Sequence, residues 1–111
     1  LRPDLRLTVA GQPMGGEAVV DDSPAVKVFV ACDQPVHRLE IVRDGRVIAA
    51  STHDELTVTR RYVDEDCPVG AHYYYVHVVF AGSQCALPFN TSPAYGNHAW
   101  SSPVWVKRRQ P

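Results

Sequence analysis

Helical periodicity, long apolar runs and a dominant charge sign are all missing from this chain. With 11 Lys and Arg against 12 Asp and Glu the formal charge is −1, which excludes the strong field that recruits nucleic acid or an anionic membrane. No apolar run approaches the roughly 18 residues of a membrane-spanning helix, and no charged-then-apolar signal peptide opens the chain. The 3 cysteines and 5 histidines show neither Cys-x-x-Cys nor His-x-x-x-His spacing, so no zinc motif is present. No catalytic motif stands out either. The expectation is a domain with no catalytic residue, cofactor or metal, and with neither a nucleic-acid nor a membrane partner. Its 111 residues suit a single domain, long enough to bury a core without a metal or disulfide staple. It begins at Leu1 rather than Met, which points to a piece excised from a longer protein and leaves localisation unread.

What is present is period-2 patterning. Leu5-Arg6-Leu7-Thr8-Val9 alternates as a first strand, followed by a Gly/Pro-rich loop and a short segment over 18–20. Val26, Val28 and Val30 alternate with Lys27 and Phe29 in the next strand. Leu39 and Ile41 flank Glu40, and Arg43-Asp44-Gly45-Arg46 then supplies the Asp-Gly pair of a type I′ hairpin turn, with the return strand over 47–50. Leu56 and Val58 alternate with threonines towards Tyr62, and Tyr74, Val76, Val78 and Phe80 share one face of a longer strand over 73–80. A last strand runs over 99–107, where Pro103 demands an edge or a bulge. About seven short strands with turn signals every 8–12 residues or so predict an all-β, immunoglobulin-like or fibronectin-type β-sandwich, with a barrel as the minority alternative. Its expected core is Val26, Val28, Val30, Leu39, Ile41, Leu56, Val58, Tyr74, Val76, Val78 and Phe80. Tyr73 and Tyr74 follow Asp66-Cys67-Pro68 as in a tyrosine corner, where a hydroxyl ties down the loop before the penultimate strand.

The strand Tyr73-Tyr74-Tyr75-Val76, the closing Ala99-Trp100-Ser101-Ser102-Pro103-Val104-Trp105-Val106 and the hairpin Leu39-Glu40-Ile41-Val42-Arg43-Asp44-Gly45 together resemble the C-terminal region of bacterial PHP-type metal-dependent hydrolases of the carbaryl-hydrolase kind. The resemblance covers about residues 36–107. It implies a non-catalytic accessory sandwich that packs on, or orients, a hydrolase domain of the same chain. The family's metal ligands lie in that other domain, and His72 and His77 here, five apart on a strand, face opposite sides. The alternative is an independent module recognising a carbohydrate, peptide or protein through its loop end. The family's last two strands are tightly connected, whereas residues 81–98 here form a long stretch of the kind that is usually functional.

Antiparallel succession of strands puts the loops over 31–36, 51–55 and 81–98 at one end. That end would gather Cys32, His37, His53, Asp54, Cys85, Tyr95 and His98, which are zinc-type ligands read here as scattered surface groups. Phe89, Tyr95 and His98 are the binding candidates of the longest loop, whose prolines limit the entropy lost on binding. Tyr73, Tyr75 and His77 share the face opposite the core, and Trp100 and Trp105 have opposite parity, so without a bulge only one would point inward. Tyr73, Tyr75, Trp100 and Trp105 are the candidates for docking a neighbouring domain, a commoner role for such rings than stacking on sugars. Cys67 and Cys85 flank a strand at least about 25 Å long and are too far apart to bridge. Cys32 and Cys85 are the pair that geometry leaves open, while an odd cysteine count favours reduced thiols. Arg60-Arg61 and Asp64-Glu65-Asp66 read as a solvated turn, and Asn90-Thr91-Ser92 as a silent glycosylation triplet.

Overall fold

The computed structural model describes residues 3–81 and 97–110, which are all-β, with no helix among them. The strands are β1 (Asp4–Val9), β2 (Gln12–Pro13), β3 (Glu17–Val20), β4 (Ala25–Arg43), β5 (Arg46–Val63), β6 (Gly70–Phe80), β7 (Asn97–Trp100) and β8 (Val104–Arg108). The turn between β4 and β5 has Asp44 at φ 53° and Gly45 at φ 83°. Positive φ at both central residues is what a type I′ turn requires, so the Asp-Gly signal is realised.

The hairpin and the two flanking strands expected over this region, separated by loops at 31–36 and 51–55, are instead one ribbon of two long strands. Its ladder jumps from Ala31 opposite Thr57 to Val36 opposite Glu55, leaving residues 32–35 of β4 facing Leu56 alone. Such an insertion bends a strand pair sharply. Held straight, the 19 residues of β4 would span about 60 Å. Yet Arg43, at the turn end, places Nη1 2.5 Å from Oδ2 of Asp64, which follows the other end of the ribbon. The ribbon is therefore doubled back at the bulge, and the chain reverses direction without leaving the extended conformation.

The bend also corrects one core assignment. Leu56, expected inside, is 51 % exposed because it stands at the corner, outside the space between the two arms. The other expected core residues are buried and are joined by Leu7, Val9, Val36, Val104 and Val106 in one cluster. Each such side chain contributes on the order of 1.5–3 kcal/mol on burial.

The remaining strands wrap this ribbon. β1 pairs with the first arm of β4, from Asp4 opposite Ala31 to Val9 opposite Val26. β6 pairs with the second arm, from Val36 opposite Phe80 to Arg43 opposite Tyr74. β7 and β8 follow one another along β6, and β3 lies parallel to β8. β1 meets β8 as well as β4, so the sheet curls nearly shut.

The expected single last strand is broken at 101–103. Pro103 has no N–H to donate, and the chain steps out of the ladder before resuming as β8. Ser101 covers the gap: its N–H donates to the Val76 carbonyl at 2.9 Å, and its Oγ accepts from the Val76 N–H at 2.9 Å. The step resets side-chain parity. Trp100 and Trp105 consequently both face outward, and neither points into the core as unbroken alternation would require.

One buried polar cluster closes the end opposite the bend. The Tyr74 hydroxyl donates to Asp64 Oδ2 at 2.7 Å, and Arg43 donates to the same oxygen. This ties down the segment before β6 as a tyrosine corner does, through a carboxylate. Burial first, then hydrogen bonds to Cys67 and Asp64, pushes the Tyr74 phenol far above its ordinary value. For Arg43 burial pulls the other way, and the hydrogen bond and charge of Asp64 outweigh it, so the guanidinium is held more firmly charged.

Candidate functional site

The outer face of β6, β7 and β8 carries a row of rings in two groups, Tyr73, Tyr75 and Trp105 in one and His77, His98 and Trp100 in the other. Tyr73, Tyr75 and His77 alternate along β6 with the buried Tyr74, Val76 and Val78, so period 2 turns all three to the same side. Register then brings Trp105 opposite Tyr73 and Trp100 opposite His77. Tyr73 and Tyr75 stack at 6.3 Å between centroids, and Trp105 tilts against Tyr73 at 5.3 Å. Trp100 lies parallel to His77 at 4.8 Å, within 7°. Trp100 is 61 % and Trp105 50 % exposed, the largest apolar side chains that the described surface leaves open. Between them runs a groove of about 440 Å³ lined by Tyr73, Tyr75, Trp100, Ser101, Pro103 and Trp105. Isolated exposed apolar residues need no explanation, whereas here several lie side by side on one face. All four docking candidates read from the sequence meet here.

A polar chain orients the upper end of the row. Arg38 Nε donates to Glu40 Oε2 at 2.9 Å, Glu40 Oε1 meets His77 Nδ1 at 2.9 Å, and His77 Nε2 meets His98 Nδ1 at 2.8 Å. The bond from His77, and after it that from Arg38, holds the Glu40 carboxyl below its ordinary value. With both ring nitrogens engaged, His77 is fixed flat against Trp100. A second cleft of about 430 Å³ adjoins Trp100, with His37, Arg38, Glu40, His77 and His98 among its walls.

At the lower end Asp44 of the hairpin turn accepts from the Tyr73 N–H at 3.0 Å and meets His72 Nδ1 at 2.6 Å. Against the upward pull of burial, these hydrogen bonds hold the Asp44 carboxyl below its ordinary value. The β4–β5 tip is thereby pinned to the strand that carries the rings.

The chain matches no family model, no curated protein and no solved structure.

The binding candidates divide. Phe89 and Tyr95 lie outside the described residues, as does Cys85. His98, expected in the loop, sits on β7 and joins the ring row through His77. The end that was to hold the loops is recognisable in the register, since Val36 opposes Phe80 and Phe80 opposes Asn97. Among the described residues its zinc-type groups do not converge. His53 turns to the Ser51 hydroxyl at 2.6 Å, Cys32 Sγ to Asp33, and no three His, Cys, Asp or Glu among the described residues are placed to hold a metal ion. Cys32 and Cys67 are free thiols. Sequence reasoning missed Arg38 and Glu40, although the Leu39-Glu40-Ile41 alternation already put Glu40 on the outer face. Only the cross-strand register reveals that His77 is its neighbour.

Proposed function

We propose that this chain is a non-catalytic immunoglobulin-like module that docks a neighbouring domain through the outer face of β6, β7 and β8. The convergence of Tyr73, Tyr75, Trp100 and Trp105 on one open groove carries this reading. Protein interfaces are enriched in Trp and Tyr, and such anchors dominate their energetics. The sandwich reading is supported by the strand pairing. β1, the first arm of β4 and its β5 partner would form one layer, and the other arms with β6, β7, β8 and β3 the second, in the manner of fibronectin-type domains. For the partner, the sequence resemblance favours a PHP-type hydrolase domain of the same chain.

The protein's 2 tryptophans both lie on the proposed face, so its entire indole fluorescence reports on docking. Acrylamide should quench both indoles readily in the domain alone and poorly once a PHP-type hydrolase domain freed of its own tryptophans is bound. Trp100→Ala with Trp105→Ala should abolish co-elution with that domain. Equal quenching with and without it would refute docking through this face.

A further inference from the structure

We propose that His72 is a proton-operated clamp: the proton it shares with Asp44 ties the β4–β5 turn to the segment between β5 and β6, and losing that proton frees Pro68. His72 lies on the inward side of β6, two residues before the buried Tyr74, and its side chain is 11 % exposed. Its Nδ1 is 2.6 Å from Asp44 Oδ2 and its Nε2 is 2.9 Å from the Pro68 carbonyl oxygen. Oδ1 of the same carboxyl already accepts from the Tyr73 N–H at 3.0 Å. A backbone carbonyl can only accept, so Nε2 must carry a hydrogen. The link to Asp44 needs a hydrogen as well, and because imidazole is a stronger base than a carboxylate it resides on Nδ1. Neutral imidazole has one N–H and cannot make both bonds, so the arrangement requires the imidazolium. His77 differs, since its Nε2 faces a second imidazole that is able to donate or accept.

The surrounding charges leave Asp44 as the counter-ion. Arg43 and Arg46 flank it around a cleft that Pro68 closes. Asp64, at the start of the clamped segment, is committed to Arg43 and Tyr74, and the Cys67 thiol turns to the same Pro68 carbonyl. Glu65 and Asp66 are exposed in that segment, and Arg108 of β8 reaches the Cys67 carbonyl. On the other side of the ring, Glu17 of β3 and Lys107 of β8 share a cleft with it and offset each other. When the imidazolium loses its proton, the bond kept is the charge-assisted one from Nδ1–H to the carboxylate. Nε2 then turns a lone pair towards the Pro68 carbonyl, and the two repel. The Asp44 N–H still donates to the Tyr73 carbonyl at 3.0 Å, so the turn stays on β6 and the movement falls on the segment around Pro68. The unfolded chain needs no such proton. The stabilisation is therefore present below the ordinary imidazole value of about 6.5 and is lost as rising pH strips the clamp.

Imidazole-nitrogen NMR and urea unfolding of the whole chain test the clamp. At about pH 7 both ring nitrogens of His72 should carry slowly exchanging hydrogens. The urea midpoint of the wild type should fall by roughly 0.5 M between about pH 6 and 8. Asp44→Asn removes the need for the proton, because the new amide can donate to a bare Nδ1 while Nε2–H still reaches Pro68. An Asn-Gly pair suits the same turn, so this variant should fold and should lose most of the fall. A bare His72 nitrogen at about pH 7, an equal fall in both proteins, or no fall in the wild type overturns the proposal.

Discussion

Removing the Tyr74 hydroxyl tests the doubled-back ribbon more directly than any core truncation. Tyr74 is fully buried and Asp64 is 1 % exposed, and the bond between them closes the end where the two arms of the ribbon meet. Tyr74→Phe deletes one donor to a buried carboxylate and should cost about 1.5–3 kcal/mol. Asp64→Ala leaves the Arg43 guanidinium without its counter-charge and the Tyr74 hydroxyl without an acceptor, for about 3–5 kcal/mol. Both substitutions break the same bond, so the double variant should be less destabilised than the sum, by about 1–2 kcal/mol. Urea unfolding followed by tryptophan emission measures this, each kcal/mol moving the midpoint by about 0.5 M at an ordinary slope. Additive losses would refute the reasoning, since they would mean that Asp64 and Tyr74 are not in contact and that the ribbon does not close on itself.

Leu56→Ser should change stability by less than about 0.5 kcal/mol, whereas Phe80→Ala should cost about 3–5 kcal/mol; comparison of their urea midpoints checks the corner position of Leu56. Gly45→Ala puts a side chain at φ 83° and should lower the melting temperature through a strain of about 1–2 kcal/mol in the hairpin turn. The Glu40 and Asp44 carboxyls are held below their ordinary values of 4.5 and 3.8 in the folded state, so the stability they contribute is present above those values and is lost as pH falls through the lower folded ones. The urea midpoint should therefore fall below about pH 4.5, and Glu40→Gln with Asp44→Asn should flatten that fall.

Much of the architecture was readable from local chemistry. Period-2 alternation marked the strands, and every expected core residue but Leu56 is buried, because a half-buried strand writes its buried face into every second residue, while Leu7, Val9, Val36, Val104 and Val106 joined the core unforeseen. The Asp-Gly turn was legible because few residue pairs tolerate positive φ twice in succession. The outward-facing rings were legible in part, since Tyr73 and Tyr75 share parity opposite the core.

Three things were settled only by tertiary structure, each because it depends on groups distant in sequence. The bend at residues 32–35 depends on which β5 residues the ladder chooses on either side, and that choice exposes Leu56. The outward turn of both tryptophans depends on the break at 101–103, which local parity reads as unbroken and which Val76 stabilises from the neighbouring strand. The Glu40–His77–His98 chain joins three strands, and its members become neighbours only when β4, β6 and β7 settle into register. Alternation along one strand determines which way a side chain points. What it meets there is decided by the strand laid beside it.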